Sequence, residues 1–287
     1  MKITQGIRRK LIQIAAFGLS NAHAGNFAKG TIYKGPWKQF CNPGLNCYSC
    51  PAASAACPIG ALQAVTGSMD FSFSFYVVGF LLAVGVLLGR VVCGFLCPFG
   101  LIQELIHRIP SPKRRLPRWT RALKYVILVV FVGLMPVLLT DFMGMGQPAF
   151  CQYICPSGTL LGALPLLAMR EELRDALGGL FLLKVFLLAV TLVGCVLVYR
   201  FFCKALCPLG AIYGVLNRVS LWRLEVDERK CVHCGKCARV CRMDVDPVRT
   251  PDSPECIRCG ACAEACPAHA IKLGFGLRRE RPRVHRA

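Results

Sequence analysis

Nineteen cysteines in 287 residues constrain this chain more than any other feature of its sequence. So many cysteines are not incidental core residues, and the chain is too long and too apolar for a small domain stapled by disulfides. Hydrophobic residues make up 55% of the chain and charged residues only 17%, against about 45–50% and about 25% in typical soluble domains. This composition predicts a membrane protein that carries metal clusters. It excludes a disordered chain, and the lack of a Gly-X-Y period excludes collagen.

Two cysteine runs near the C terminus share the spacing C-x2-C-x2-C-x3-C. The first contains Cys231, Cys234, Cys237 and Cys241, and the second contains Cys256, Cys259, Cys262 and Cys266. This spacing is typical of bacterial two-cluster ferredoxins, in which the fourth cysteine of each run ligates the other cluster. We therefore expect one 4Fe–4S cluster on Cys231, Cys234, Cys237 and Cys266, and a second on Cys256, Cys259, Cys262 and Cys241.

The segments around these runs predict a small ferredoxin-like α+β domain over residues 221–275. LWRLEVDERKC and AIKLGF flank the runs and are typical of short strands. Zinc bound by four thiolates is the alternative for such cysteines, and the x2 and x3 spacings of the third and fourth cysteines disfavour it. Residues 1–220 are then a membrane domain, and residues 276–287 are a basic tail.

A Cys-Pro-x-Gly tetrapeptide recurs four times in the membrane domain, starting at Cys57, Cys97, Cys155 and Cys207. Proline directly after the cysteine suits the first turn of a helix. Three copies have a second cysteine four residues earlier, namely Cys93, Cys151 and Cys203. The first copy has Ala53 at that position, with Cys41, Cys47 and Cys50 upstream.

Hydropathy predicts four membrane-spanning helices at about 7–28, 71–92, 122–142 and 178–199, because a bilayer core needs roughly 20 mostly apolar residues. The first of these has an alternative interpretation as a cleavable signal peptide. Its basic start, residues 8–10, and the small-residue sequence AHA at 22–24 are features of such a peptide.

Lysine and arginine counts orient the chain, since cytoplasmic flanks are enriched in them. Residues 1–10 hold four and residues 93–124 hold seven, whereas residues 29–70 hold three and residues 141–177 hold two. Both termini and the ferredoxin-like domain are therefore predicted on the cytoplasmic side of a bacterial or archaeal cytoplasmic membrane. The net charge of +20 largely reflects this bias. Nucleic-acid binding is not expected, because the basic residues are not interleaved with aromatics on one soluble face.

This topology sorts the remaining cysteines by membrane side. Cys93, Cys97, Cys203 and Cys207 fall at the inner face, and four thiolates are the number that a cluster or a zinc ion requires. Six cysteines fall outside with Cys41 among them, and the candidate ligands there are Cys47, Cys50, Cys57, Cys151 and Cys155. A disulfide or non-ligating thiols would account for the surplus, and metal-free dithiols are the alternative for both sites. Cys195 is interpreted as a small buried residue.

With these motifs in hand, the chain resembles membrane-bound 4Fe–4S proteins of the NapH/MauN type, a group that includes quinol-oxidising subunits of periplasmic nitrate reductase systems. The likeness rests on the four predicted spans, CGFLCP at 93–98, CKALCP at 203–208 and the eight ferredoxin cysteines. It implies electron transfer between membrane quinone and an iron–sulfur or periplasmic partner. The stretches CNPGLNCYSCP at 41–51 and CQYICP at 151–156 are extras relative to the nitrate-reductase subunits.

The leading hypothesis is a membrane-bound iron–sulfur protein that passes electrons between a quinone pool or cytoplasmic donor and a redox partner, as the quinol-dehydrogenase or electron-transfer subunit of an oxidoreductase system. Its cofactors are two 4Fe–4S clusters, with one or two further clusters and a quinone as additions. A thiol–disulfide relay and a redox- or iron-sensing assembly protein are the alternatives. His107 and His23 are more simply interpreted as solvated interfacial histidines than as proton carriers. About 30 Å of hydrocarbon separates the inner and outer sites in this scheme. A quinone, a cofactor of a partner, or cysteine motifs that dip into the bilayer would have to bridge it.

Overall fold

The computed structural model describes residues 5–67, 74–140, 146–175 and 177–276, and there the chain is helical apart from one two-stranded sheet. In the membrane domain the described helices are α1 (Gln5–Ser20), α2 (Asn26–Lys29), α3 (Pro58–Thr66), α4 (Ser74–Leu88), α5 (Val91–Phe95), α6 (Pro98–Ile106), α7 (Arg118–Leu138), α8 (Pro156–Met169), α9 (Gly179–Leu197), α10 (Phe201–Ala205) and α11 (Pro208–Leu216). Helix α7 includes a π-helical stretch at Leu128–Leu134, and a π-helical turn at Phe150–Ile154 precedes α8.

Helices α7 and α9 are, within the described ranges, long and apolar enough to cross a membrane by length and composition. They coincide with the predicted spans at 122–142 and 178–199. Their mean hydropathies are 2.0 and 2.7, and only 22% and 17% of their most apolar windows are buried in the molecule. Side chains such as Val129 and Leu182 therefore face outward. Soluble monomers rarely expose continuous apolar surfaces of this kind.

The other two predicted spans contain shorter helices. Helix α1 has 16 residues and ends at Ser20, where the Asn21 side chain donates to the Phe17 carbonyl over 3.0 Å and a turn begins. Helix α4 has 15 residues, of which Phe75–Leu88 is the apolar part. Residues 71–73 and 141–142 of the predicted spans lie outside the described residues. By helix length, the structure supports two of the four spans.

Each Cys-Pro-x-Gly copy starts a helix. Cys57, Cys97, Cys155 and Cys207 occupy the position before the helix with extended backbone, and the proline is the first helical residue. Proline favours this position because its fixed φ fits the helix and no N–H is left without a partner. The Gly210 N–H donates to the Cys207 sulfur over 3.3 Å. The motif therefore holds a sulfur atom at a helix N terminus in four places.

One buried carboxylate joins α1 to the rest of the membrane domain. Glu104 in α6 accepts hydrogen bonds from Arg9 at 2.6 and 3.0 Å, from the Tyr199 hydroxyl at 2.8 Å and from the Arg200 Nε at 2.9 Å, and it also pairs with Lys10. Burial would raise the pKa of Glu104, but Arg200 and Arg9 outweigh burial and hold the pKa well below its usual range. Glu104 is therefore charged and fully engaged.

The C-terminal domain contains β1 (Trp222–Val226), α12 (Lys236–Arg239), α13 (Ala261–Glu264) and β2 (Ile271–Phe275). The two strands pair antiparallel and lie in the segments that the sequence assigns to strands. Gly235 and Gly260 precede the two short helices with φ of 67° and 84°, a conformation that residues with a Cβ rarely adopt. The two cysteine runs therefore fold into matching loop-and-helix shapes.

The ferredoxin-like domain packs directly on the membrane domain. Asn217 at the end of α11 donates to the carbonyls of Ser253 (2.7 Å) and Cys256 (3.1 Å). Arg90, which is fully buried, donates to Glu255 over 2.8 Å, and Glu255 also pairs with Lys124. These contacts fix the position of the second cysteine run relative to α5 and α11.

We expect Glu104→Gln to lower the free energy of unfolding by about 3 kcal/mol, because the change leaves the buried Arg200 without its counter-charge. Glu171→Gln is the matched control, since the Glu171 side chain is exposed and surface ion pairs contribute less than about 1 kcal/mol. Thermal unfolding of the detergent-solubilised protein measures both. Equal, small effects of the two substitutions would contradict this role of Glu104.

Candidate metal centres

The eight cysteines of the ferredoxin-like domain form two groups of four. In the first, burial together with the nearby Cys256, Cys259 and Cys241 raises the pKa of Cys262 to about 12. Burial likewise raises the pKa of Cys256 to about 11, with added effects from Cys259 and Cys241. These are the four cysteines that the sequence pairs in one cluster, with Cys241 contributed by the other run.

The second group lines one cavity of about 440 Å³ and consists of Cys231, Cys234, Cys237 and Cys266. Cys234 is exposed to solvent, and the Ala270 N–H donates to the Cys266 sulfur over 3.4 Å. Hydrogen bonds to ligand sulfurs and solvent exposure are two of the factors that set the potential of an iron–sulfur cluster. This group therefore offers an accessible ligand set at the protein surface.

The inner motifs bring Cys93, Cys97, Cys203 and Cys207 together in the interior, each 4–6% exposed. We refer to them as the inner set. Burial raises the pKa of Cys207 well above its usual value, and the other three raise it further. Burial, together with Cys203 and Cys93, also raises the pKa of Cys97 to about 12. Four buried thiolates repel one another, so the set requires positive charge at its centre to ionise.

Two buried arginines, one preceding each inner motif, each donate a hydrogen bond to the backbone of the other motif. Arg90, three residues before Cys93, donates to the Cys203 carbonyl over 3.0 Å, and Arg200, three residues before Cys203, donates to the Cys93 carbonyl. Both arginines are fully buried. Burial raises the pKa of Cys93, and the charges of Arg90 and Arg200 offset part of that rise. The exchange of arginines fastens each motif to the other and places positive charge beside the thiols.

A second interior set of four consists of Cys47, Cys57, Cys151 and Cys155, and we call it the outer set. Burial raises the pKa of Cys155 well above its usual value, and Cys151, Cys47 and Cys57 raise it further. Burial also raises the pKa of Cys151 to about 11. Cys47 supplies the fourth thiol that the first Cys-Pro-x-Gly copy lacks at Ala53. The set therefore combines the first and third copies, as the inner set combines the second and fourth.

The glycines of the motif face the sulfurs of the outer set. A Cβ at Gly60 would lie 3.9 Å from the Cys151 sulfur. A Cβ at Gly158 would lie 3.7 Å from the Cys47 sulfur and 3.9 Å from the Cys155 sulfur. Side chains at these two positions would project toward the thiols, and glycine leaves that space free for a bound group.

Each interior set receives a hydrogen bond from a buried glutamine. Gln63 Nε2 donates to the Cys151 sulfur over 3.3 Å, and Gln103 Nε2 donates to the Cys203 sulfur over 3.1 Å. Cys195, interpreted from sequence as a small buried residue, is buried and has its sulfur 3.7 Å from Gln103 Oε1. Neither glutamine was predicted from the sequence. Their common position, six residues after the cysteine of a Cys-Pro-x-Gly copy, was the signal that could have revealed them.

Two of the six cysteines predicted outside are not among the four of the outer set. Cys50 neighbours Cys47 and contributes to the raised pKa of Cys47, after the larger effect of burial, and the Cys50 sulfur lies 3.9 Å from Asn21 Oδ1. Cys41 lies next to the inner set, because it raises the pKa of Tyr213 together with three inner cysteines, in addition to the larger effect of burial. The structure thus separates the outer candidates into four grouped thiols and two neighbours.

The segment between Cys41 and Cys47 folds inward over the inner set. The Pro43 carbonyl accepts a hydrogen bond from the Tyr213 hydroxyl at 3.0 Å. A Cβ at Gly44 would lie 2.6 Å from the Cys97 Cα, so only glycine permits this approach.

This inward fold brings the two interior sets close together. The Leu45 carbonyl lies 4.0 Å from the Cys97 sulfur, and Cys47 follows two residues later, at most about 7 Å of extended chain. The separation of about 30 Å expected between inner and outer sites is therefore not observed. Motifs that dip inward were one of the predicted ways to bridge that separation. Which segment does so could not be predicted, because the close approach depends on the packing of Gly44 against a distant loop.

The inner set also adjoins the ferredoxin-like domain. A Cβ at Gly94 would lie 2.9 Å from the Ile257 carbonyl oxygen. Cys93 and Cys256 are the chain neighbours of these two residues. The group that contains Cys256 is therefore next to the inner set.

The donor chemistry fits 4Fe–4S clusters. All nineteen cysteines fall within the described residues and are free thiols, and over those residues no three His, Cys, Asp or Glu side chains converge closely enough for a single metal ion. A 4Fe–4S cluster takes four cysteine thiolates as ligands. Each of the four groups offers that number of thiols, and ligation by each group remains a prediction.

His107 and His23 each have local partners. His107 Nδ1 is 3.0 Å from the Cys195 carbonyl, and its ring packs edge-on against Tyr199. His23 Nδ1 is 3.2 Å from the Ser54 hydroxyl, and its ring stacks on Tyr33. Both arrangements are those of structural histidines.

Comparison with protein families gives two matches that are both described as a 4Fe-4S binding domain. One family model matches three times, at residues 69–117, 125–169 and 179–226, and the other matches at 224–245 and 250–272. Each match of the first contains one pair of cysteines four residues apart and the Cys-Pro-x-Gly copy. The repeat in this chain is therefore that of a known iron–sulfur domain.

Curated relatives are similar over part of the chain. The putative electron transport protein YccM of Escherichia coli is 29% identical over 58% of this chain and 45% of its own length. The methylamine utilization ferredoxin-type protein MauN of Paracoccus denitrificans is 28% identical over 66% of this chain and 58% of its own. The ferredoxin-type protein NapH of Haemophilus influenzae is 29% identical over 54% and 48%. The chain thus spans about half the length of the curated relatives it matches. No solved structure matches it.

We expect Cys97→Ser and Cys207→Ser each to remove about four irons per chain, and the double variant to remove no more, because losing one ligand of a shared cluster releases the whole cluster. Iron analysis of anaerobically purified full-length protein measures this. Cys195→Ala is the matched control, since Cys195 is buried beside the inner set but is not among its four thiols. Unchanged iron in both single variants would show a metal-free dithiol site.

The outer set allows a sharper comparison. Cys47→Ser should remove about four irons, and Cys50→Ser should remove none, although the two cysteines are three residues apart. Equal iron contents in these variants would contradict the grouping of Cys47 with Cys57, Cys151 and Cys155.

Proposed function

The chain belongs to the family of ferredoxin-type electron transport proteins that includes NapH and MauN, and we propose that it is a membrane-bound conduit with four 4Fe–4S clusters. The clusters would be held by the two groups of the ferredoxin-like domain, by the inner set and by the outer set. Each cluster supplies a site that accepts and releases one electron when bound. The proposed donor and acceptor are a quinone pool or cytoplasmic donor and a redox partner protein.

The observation that carries this proposal is the continuous arrangement of the cysteine groups. Ile257 and Gly94 bring the group containing Cys256 against the inner set, and Leu45 links the inner set to Cys47 of the outer set. An electron conduit requires successive sites at short distances. The inward fold of residues 41–47 supplies the step that the sequence left as a gap of about 30 Å of hydrocarbon.

The burial of the interior thiols also supports a conduit over a thiol–disulfide relay. Exchange needs an attacking thiolate that reaches an accessible disulfide. The inner cysteines are at most 6% exposed, and burial raises the pKa of Cys97 and Cys207. The surrounding residues exclude water and add the positive charges of Arg90 and Arg200, which suits a bound anionic cluster.

We propose that α7 and α9 cross the membrane and that α1 and α4 complete a four-span domain. The outward apolar faces of α7 and α9 support this placement, as do the basic residues that follow α6 and α9. The ferredoxin-like domain is then cytoplasmic. In this arrangement the group of Cys231, Cys234, Cys237 and Cys266 at the protein surface would exchange electrons with a cytoplasmic partner. The outer set would lie deeper in the membrane.

Electron transfer across a lipid bilayer tests the proposal. Iron-loaded protein in vesicles that contain ferricyanide should bleach the entrapped ferricyanide when dithionite is added outside. Cys57→Ser should abolish bleaching because it removes a ligand of the outer set, and Cys50→Ser should leave bleaching intact. Fully iron-loaded wild-type protein that fails to bleach, or Cys57→Ser protein that bleaches at the wild-type rate, would contradict the conduit.

A further inference from the structure

A basic cavity of about 610 Å³ lies between the two domains. Eight lysines and arginines and only two acidic residues line it, and Cys241 of the ferredoxin-like domain is part of its wall. Arg108 and Arg114 approach from the segment after α6, and Arg239 and Arg242 approach from the ferredoxin-like domain. The cavity therefore combines charges from both domains.

The two acidic residues in the wall do not neutralise these arginines. Glu104 is engaged by the cations around it, as described above, and Asp244 accepts from Lys204 over 2.7 Å. Among the described residues, Arg108, Arg114, Arg239 and Arg242 form no ion pair with a carboxylate. Their side chains are exposed to the cavity and its opening.

The positive field is felt by the one histidine in the wall. Burial lowers the pKa of His107, and the charges of Lys113 and Arg242 lower it further. A concave surface lined by one sign of charge attracts counter-ions. The volume is in the range of pockets that bind small molecules, so the cavity suits a compact anionic group rather than the surface of a protein.

The cavity begins where the apolar helix α9 ends. The Arg114 N–H donates to the Leu197 carbonyl over 2.9 Å, and Lys113 Nζ donates to the Val196 carbonyl over 2.8 Å. Basic pockets at this level, at the cytoplasmic ends of membrane helices, bind the headgroups of anionic lipids. Leu105 and Ile109 on either side of Arg108 are 62% and 51% exposed, which provides an apolar surface for acyl chains beside the charges.

We propose that this cavity binds the phosphate headgroup of an anionic phospholipid, held between arginines of the membrane domain and arginines of the ferredoxin-like domain. The inference rests on the proposed membrane placement of α9. The bound phosphate would link Arg108 and Arg114 to Arg239 and Arg242 next to Cys241. The lipid would thereby help to seat the ferredoxin-like domain on the membrane domain.

Binding of short-chain phosphatidylglycerol to the full-length, iron-loaded protein in neutral detergent tests the inference, with short-chain phosphatidylcholine and inorganic phosphate as comparison ligands. Saturable binding of phosphatidylglycerol should weaken by at least about tenfold in the double variant Arg114→Gln, Arg242→Gln, which removes one charge from each domain. The control double variant Arg229→Gln, Lys272→Gln removes two exposed charges outside the cavity and should bind like wild type.

Three results would overturn the inference. Phosphatidylglycerol that binds both double variants alike would place the lipid elsewhere, and inorganic phosphate that binds as tightly as the lipid would identify a free phosphate site. Absence of saturable lipid binding would show that the cavity does not hold an anionic lipid. Two measurements on the same wild-type preparation separate failure of the lipid site from failure of the proposed function. Iron content reports the clusters, and sedimentation without detergent reports whether the protein is membrane-bound. A chain that is soluble without detergent would overturn both. A membrane-bound, iron-loaded chain that gives any of these three results would overturn the lipid site alone.

Discussion

Cysteine thiols that are grouped in an apolar interior ionise only if positive charge lies close to them, and much of this structure serves to place that charge. Burial raises the pKa of Cys155 and of Cys207 well above the usual value, and the neighbouring cysteines raise both further. The interior sets draw their sulfurs from chain segments about 100 residues apart, so they cannot form until the membrane domain has folded. The Cys-Pro-x-Gly motif positions each sulfur locally, because proline starts a helix directly after the cysteine and glycine leaves space beside the sulfurs.

Buried charged side chains hold the distant cysteine motifs together. Arg90 and Arg200 each bind the backbone of the other inner motif, so the pair fastens the motifs and supplies positive charge near four thiols. Each arginine then has its own carboxylate, Glu255 for Arg90 and Glu104 for Arg200. Glu255 belongs to the ferredoxin-like domain, and Glu104 binds α1. One network therefore connects the inner set to the domain on one side and to the first helix on the other, and breaking it would leave uncompensated buried charge.

The sequence predicts the elements whose chemistry is local. The spacing of the ferredoxin cysteines predicts the group in which Cys241 joins Cys256, Cys259 and Cys262, and the structure brings those four together. The sequence does not show whether Cys47 or Cys50 joins the outer set, because the first Cys-Pro-x-Gly copy lacks its partner cysteine. That choice depends on how residues 41–47 fold over Cys97. Hydropathy finds α7 and α9, whereas α1 is shorter than expected because the turn at Asn21 ends it. The two buried arginines recur three residues before the first cysteine of an inner motif, and the two glutamines recur six residues after the cysteine of a Cys-Pro-x-Gly copy. A single sequence shows these repeats only when the residues on both sides of the motif are compared between copies.

In the proposed conduit, four groups of four cysteines each hold a 4Fe–4S cluster in one chain. Iron and acid-labile sulfide in anaerobically purified full-length protein, counted against protein by amino-acid analysis, test this most directly. The account predicts about sixteen of each per chain, four for every group. About eight of each, the number that the ferredoxin-like domain alone would hold, would contradict the account and leave the interior sets without clusters.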